Sequence, residues 1–316
     1  MSKMPQEKLI VILGPTAVGK TALSIELAQI FNTEIISGDS MLMYRGFDIG
    51  SAKPTLAERK GIIHHLIDSH EPTASFNVAD FVKAARPLIT KINSEGKIPI
   101  IAGGTGLYIK ALLEGYEFSK SGENSTYRQE LEKIAKEKGG GYLYKMLKEV
   151  APAVAKNIHP HNVLRVIRAL EVAQSGEELS AARAPKLIYD AYVVGLNRER
   201  SSLYERINKR VELMLSDGLI SEVKNLLAAG VRPDAPAMKG IGYKEIVQLI
   251  NGKLTTPAAL DLVQKNTRHF AKRQLTWFRK MPYIHWYRAD EMTSEELISR
   301  VTADVKKYFA VSNSSH

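Results

Sequence analysis

Gly14-Pro15-Thr16-Ala17-Val18-Gly19-Lys20-Thr21 is the stretch that decides the fold. It matches G-x-x-x-x-G-K-[ST] in full and sits where the mechanism of that motif needs it. Before it runs Lys8–Leu13, a short β-branched segment with the character of a buried strand; after it, Lys20–Phe31 reads as an amphipathic helix. Glycines at both ends let backbone N–H groups turn inward around a phosphate, with the helix dipole behind them. Gly14, Thr16, Ala17, Val18, Gly19, Lys20 and Thr21 are therefore the candidate phosphate-binding residues, and the Thr21 hydroxyl is placed to ligate Mg²⁺. A nucleoside triphosphate is the usual occupant of such a loop, but the cradle itself recognises a diphosphate and a metal ion.

Outward from the loop, Glu34–Ile36 is a second short strand, Phe81–Asn93 a helix, and Ile98–Ala102 a strand apolar enough for burial on both faces. Strand and helix alternating over short connections predict an α/β fold: a parallel sheet flanked by helices, in the manner of phosphate-loop nucleotide-binding proteins. Past Tyr108 the pattern changes. Tyr127–Glu137, Tyr142–Val150 and Asn162–Gln174 are helical, and no buried strand returns until Ala191–Leu196. Residues 116–190 are thus expected to form an all-helical insertion in a discontinuous core of 1–115 and 191–316. Beyond Ser202 the chain reads as helical again: Leu203–Ser216, Ile220–Ala229, Tyr243–Asn251, Pro257–Arg279 and Ser294–Phe309, with Val311–His316 frayed.

Composition narrows the classes of function. There are 316 residues, 44% hydrophobic and 25% charged, as in soluble globular proteins. No apolar window suggests a membrane span, and the segment before the first apolar run is short and polar; a cytoplasmic protein is expected. The absence of cysteine excludes disulfides, thiolate catalysis and cysteine-ligated zinc. A net charge of +10 asks for a polyanionic partner.

Its placement is informative. Projected as a helix, Arg268–Lys280 gathers Arg268, Lys272, Arg273, Arg279 and Lys280 in one arc, with Phe270, Ala271, Leu275, Trp277 and Phe278 opposite. No acidic residue occurs from Lys265 through Arg288, whereas an ordinary solvated face mixes signs. This predicts a helix packed on the core by its apolar side, presenting a basic ridge to a polyanion.

Two further segments can carry chemistry. Asp39 follows the second strand, at the edge where open α/β sheets bind ligands. It can serve as a general base or ligate metal-bound water; it can equally cap the following turn. Thr105, in Gly103-Gly104-Thr105-Gly106, projects from the same edge after the third strand, where a tight turn would also explain the glycines. His64 and His65 are adjacent and cannot share a helix face, which argues against a metal pair.

Seven segments in order, GPTAVGKT, GDSMLMYRGFDIGSAKP, HHLID, AGGTGLY, IHPHNVLRVIRALEV, GIGYKEI and NTRHFAKRQLTWFRK, resemble the tRNA dimethylallyltransferases from Gly14 to Lys280. The resemblance implies a cytoplasmic, Mg²⁺-dependent enzyme, taken as a monomer, that moves a prenyl group from dimethylallyl diphosphate to N6 of adenosine 37 in the tRNA anticodon loop. It implies Asp39 as the base and Thr105 beside the reacting groups. The phosphate loop would hold the prenyl diphosphate, with Arg206 and Arg210 in a lid-like position. Asp39, Ser40, Met41, Leu42 and Thr105, with Arg128 and Leu164, Arg165, Val166, Ile167 and Arg168, would touch tRNA, as Arg268 and Lys272 would on the basic ridge. The chain departs from the family pattern at His161-Asn162, where Asn-Asp is usual, at Leu42, where many members carry Gln, and at Ser51, where Thr is common. A small-molecule kinase, an adenylate prenyltransferase and a non-catalytic RNA-binding module are the rivals. The first two share the loop but have less need of a basic RNA-facing helix, and the third has no need of an intact loop and Asp39.

Overall fold

The computed structural model describes residues 6–116, 118, 125–175 and 186–314. They separate into two compact units, one of Met1–Tyr116 with Pro185–His316 and one of Glu117–Ala184.

The first unit is built on a six-stranded parallel sheet. Its N-terminal part runs β1 (Lys8–Leu13), α1 (Lys20–Ile30), β2 (Ile35–Ser37), β3 (His64–His65), α2 (Val78–Ser94), β4 (Ile100–Gly103) and α3 (Gly106–Leu113). The second unit follows, with helices as its only regular elements among the described residues: α4 (Ser125–Lys138), α5 (Gly140–Val150), α6 (Pro152–Ala155) and α7 (Val163–Gln174). The chain re-enters the sheet with β5 (Asp190–Asn197). It then continues through α8 (Arg200–Ser216), α9 (Leu219–Ala228), α10 (Tyr243–Ile250), α11 (Thr256–Phe278), β6 (Ile284–Arg288) and α12 (Ser294–Ser314). The strand order is β3-β2-β4-β1-β5-β6.

β1 is central because its sequence leaves it no other place. Leu9–Leu13 have no exposed surface, and an apolar run without alternation is stable only when both faces are covered. β4 pairs with it on one side, Ile10 opposite Ile100, and β5 on the other, Ile10 opposite Tyr192. Leu23 and Leu27 of α1, Leu203 and Ile207 of α8, and Val301 and Val305 of α12 share one core with these strands. α2 is set by an Asn77–Asp80 capping box, and Phe81 stacks on Tyr108 of α3 at 4.9 Å. In the second unit, Leu131, Leu143, Leu147, Val166, Ile167 and Leu170 form a separate core.

Two strands escape a reading of apolar runs. β3 is only two residues long, and its histidines have local partners: His65 Nε2 lies 2.6 Å from Glu34 Oε2, and His64 Nδ1 2.8 Å from the Ile62 carbonyl. β6 is an edge strand with His285 and Trp286 exposed, paired to β5 from Val193 opposite Ile284. The expected fraying from Val311 is corrected as far as Ser314, to which α12 continues; the last two residues lie outside the described set. Among the described residues no helix is long and apolar enough to cross a membrane.

Candidate active site

The phosphate loop is shaped by three unusual backbone conformations. Gly14 has φ +151°, and a Cβ there would come within 2.6 Å of the Leu196 carbonyl oxygen on β5, so only glycine fits beside the neighbouring strand. Ala17 at +63° and Gly19 at +114° then reverse the chain into α1. No side chain caps α1. Its first N–H groups and its dipole therefore point into the loop, an arrangement suited to an anion.

Positive charge crowds this loop. The Lys20 ammonium donates to the carbonyls of Gly14 (3.0 Å) and Pro15 (2.8 Å). Burial lowers its pKa to about 8, with Arg210 acting in the same direction and Asp39 opposing. Arg206 and Arg210 stand one turn apart on α8 and so share a face. Arg206 Nε donates to the Ala17 carbonyl at 3.0 Å, and Arg210 Nη1 to the Thr16 hydroxyl at 3.4 Å. Burial depresses the Arg210 pKa as well.

A third arginine was not singled out from the sequence. Arg198 Nε donates to the Val18 carbonyl at 3.3 Å. The signal for it was its place just past β5, the parallel neighbour of β1, at the same carboxyl edge of the sheet. Lys20, Arg206 and Arg210, but not Arg198, border a cleft of about 1060 Å³. Lys20, Thr21, Arg206 and Arg210 line one part of it; Ile25, Ile49, Leu213 and Met214 give it an apolar part. The wall carrying Ile49 is held by Glu222, whose carboxylate accepts the N–H groups of Asp48, Ile49 and Gly50 and the Tyr243 hydroxyl.

Asp39 and Thr105 are brought together at the ends of β2 and β4. A Cβ on Gly103 would sit 2.3 Å from the Gly38 carbonyl oxygen, so the two chain ends touch backbone to backbone. The Gly38 N–H donates to Ala102 O and the Thr105 N–H to Gly38 O. Thr105 leaves the start of α3 uncapped. Its hydroxyl accepts the Ser40 N–H at 3.0 Å and donates to the Ser40 hydroxyl at 3.3 Å. Asp39 Oδ1 accepts the Met41 N–H at 2.9 Å, the turn contact that its sequence also allowed. Its Oδ2 lies 3.7 Å from where a Cβ on Gly104 would be. Met41 packs on the turn before α10, its Cε 2.7 Å from where a Cβ on Gly240 would fall, while Ser40 and Leu42 are half-buried. Asp39 and Thr105 do not line the cleft. Asp39 nonetheless lies near enough to act on the charges of Lys20 and Arg210, so the carboxylate and the cradle form one locus.

The basic helix requires one correction. Lys272 and Arg273 on α11, and Arg279 and Lys280 just past its end, are exposed, but Arg268 is half-buried and donates to Asn208 Oδ1 on α8 at 2.5 Å. It falls at the edge of the arc, where packing against α8 claims it. Trp277 covers the start of α3, its Cδ1 2.3 Å from where a Cβ on Gly106 would be, as expected of a packing residue.

In the helical unit, Leu164 and Arg165 are exposed, whereas Val166 and Ile167 are core and their side chains are not available for contact. Arg128 and Arg168 both approach the buried Glu171, at 3.9 and 3.4 Å. Asn162 caps α7 by accepting the Arg165 N–H, so the departure from the family pattern at this position keeps a cap.

Among the described residues no group of three or more His, Asp or Glu could enclose a metal ion. The Thr21 hydroxyl is exposed on the first turn of α1, beside the loop. That donor set fits Mg²⁺, which takes one or two protein oxygens and completes its octahedron with water and phosphate.

The fold and site define a phosphate-loop α/β protein that sets a carboxylate near its phosphate loop and displays a basic helix on the same unit. The IPP transferase family model matches residues 42–281, and the chain belongs to that family. A tRNA dimethylallyltransferase of Alkaliphilus metalliredigens is 47% identical over 97% of this chain and 100% of its own length. The one from Carboxydothermus hydrogenoformans is also 47% identical, over 94% and 97%. Among solved structures, the tRNA isopentenylpyrophosphate transferase of Bacillus halodurans is 41% identical, with a TM-score of 0.75 over 98% of this chain and 99% of that one. A eukaryotic dimethylallyltransferase described as acting on tRNA reaches a TM-score of 0.81 at 28% identity, over 96% and 80%.

Proposed function

We propose that this protein is a tRNA dimethylallyltransferase, moving the dimethylallyl group of dimethylallyl diphosphate to N6 of the adenosine just 3′ of the tRNA anticodon. The observation that carries the reading is Asp39 at the end of β2, set against Gly104 of the turn after β4, at the same carboxyl edge of the sheet as the cradle at the end of β1. The N6 amine is a weak nucleophile because its lone pair is delocalised into the ring. Asp39 accepts its proton as N6 bonds to C1 of the prenyl group. The C1–O bond breaks, and its electron pair leaves with the diphosphate. Lys20, Arg210, Arg206 and the loop N–H groups hold that growing negative charge. Thr21 would hold Mg²⁺, which adds positive charge to the leaving diphosphate. Thr105 holds Ser40, and with it the chain around Asp39.

The exposed cations of α11 bind RNA phosphate, and Leu164 and Arg165 supply a contact surface on the helical unit. A target base is most easily unstacked from a single-stranded loop. The basic face of α11 argues against a small-molecule kinase or an adenylate prenyltransferase, neither of which handles a polyanion.

The test is mass spectrometry of nucleosides from unmodified tRNA incubated with the protein, Mg²⁺ and dimethylallyl diphosphate. N6-dimethylallyl adenosine is expected. Its absence alongside ATP turnover would overturn the reading in favour of a kinase; prenylation of AMP in preference to tRNA would favour the adenylate enzyme.

A further inference from the structure

Gln274 lies on the inward face of α11, 6% exposed, between Ala271 and Phe278, both without exposed surface. A glutamine does not go into a core without partners, because burying an unpaired amide costs several kcal/mol. Both halves of this amide are engaged. Its Oε1 accepts the Thr16 N–H at 2.9 Å, and its Nε2 donates to the Gly104 carbonyl at 2.9 Å. Thr16 belongs to the phosphate loop after β1. Gly104 belongs to the turn after β4, immediately before Thr105 and against Asp39. One side chain therefore spans the two loops that carry the two halves of the reaction.

The surroundings are built for that bridge. A Cβ on Gly104 would lie 2.4 Å from Gln274 Nε2, so any larger residue there displaces the amide. The pair of bonds needs a donor and an acceptor side by side: an ionised carboxylate cannot donate to Gly104, an ammonium cannot accept from Thr16, and the shorter amide of asparagine does not reach as far. Lys272 and Arg273, the residues just before it, are exposed on the basic face of the same helix.

We propose that Gln274 is a positioning residue for prenyl transfer, a clamp that fixes the diphosphate cradle at a set distance from Asp39 and Thr105. The proposal rests on the transferase reading above. It predicts that loss of the clamp lowers the chemical step more than it lowers binding, since a misplacement of about 1 Å can cost roughly 100-fold in rate.

The experiment compares steady-state kinetics of wild type, Gln274→Met and Gln274→Glu with tRNA and dimethylallyl diphosphate between pH 6 and 9. Active wild type establishes the transferase reading independently, so only the variants bear on the clamp. Methionine keeps the shape and loses both bonds. Its kcat is expected to fall roughly 10- to 100-fold while the KM for tRNA stays within about threefold, and thermal melting checks the fold. Glutamate supplies the discriminating signature. Ionised, it can accept from Thr16 but not donate to Gly104. Protonated, it has one O–H donor and one acceptor oxygen in the shape of the amide. The ratio of Gln274→Glu to wild-type kcat should therefore rise as pH falls and exceed the ratio for Gln274→Met. Mere relief of charge repulsion would bring glutamate only to the methionine level, and that plateau would overturn the proposal. So would a Gln274→Met kcat within twofold of wild type.

Discussion

Replacing Lys20 with methionine should strengthen the free protein at neutral pH while removing its hold on diphosphate. In the folded state the ammonium is held near 8 in place of its ordinary 10.5, chiefly by burial. A lysine depressed in this way destabilises the fold wherever it must be charged. The penalty is fully present below pH 8 and vanishes as pH rises past the unfolded value. At about 1.4 kcal/mol per pH unit it amounts to about 3 kcal/mol at pH 7. Against this, methionine forfeits the bonds to Gly14 and Pro15, at about 1 kcal/mol each. The net gain at pH 7 is about 1 kcal/mol, or a melting temperature higher by about 2 °C. Near pH 10 most of the penalty has gone and only the lost bonds remain, so wild type should be the more stable by about 1–2 kcal/mol. The assay is urea unfolding of both proteins at pH 7 and pH 10, repeated with pyrophosphate. Pyrophosphate should stabilise wild type and leave the variant nearly unmoved. A variant weaker than wild type by the same margin at both pH values would refute the reasoning, since a constant gap means that Lys20 is not strained by its charge.

Four other perturbations separate the parts of the site. Asp39→Asn keeps the contact to the Met41 N–H but cannot take a proton; kcat should fall at least about 100-fold with tRNA affinity nearly intact, and near-normal turnover would remove Asp39 as the base. Lys272→Glu with Arg273→Glu should weaken tRNA binding and flatten the slope of log K against log salt by about 2. Arg268→Ala should leave that slope alone because its guanidinium is committed to Asn208; equal slopes for all three proteins would count against the basic face. Gly104→Ala should displace the Gln274 amide and lower kcat, and combining it with Gln274→Met should add less than about 0.5 kcal/mol to the activation barrier; full additivity would show that the two residues do not act through one contact.

The sheet, the phosphate loop and the position of Asp39 were legible because each is written locally. A run of buried β-branched residues, two glycines at fixed spacing and a lysine at a helix start need no distant partner to be recognised, and the structure places them in β1, the loop and α1. The family was legible for a related reason: seven short segments in order are improbable by chance. β3 and β6 were missed because an edge strand of two to five residues carries little apolar pattern, and what makes it a strand is the neighbour it pairs with.

Tertiary structure decided what spacing could not. Arg268 and Lys272 lie one turn apart on α11, yet only packing against α8 separates an arginine bound to Asn208 from a lysine facing solvent. Val166 and Ile167 stand beside Arg165 in the chain, but the second unit's core takes them. Arg198 and Gln274 meet the phosphate loop 180 and 258 residues away in sequence, contacts that no local pattern records. The sequence by itself determined which chemistry this protein can carry, because reactive groups and loop backbone are local properties. Which side chains hold those groups at working distance depends on long-range burial and hydrogen bonding, and that only the folded chain establishes.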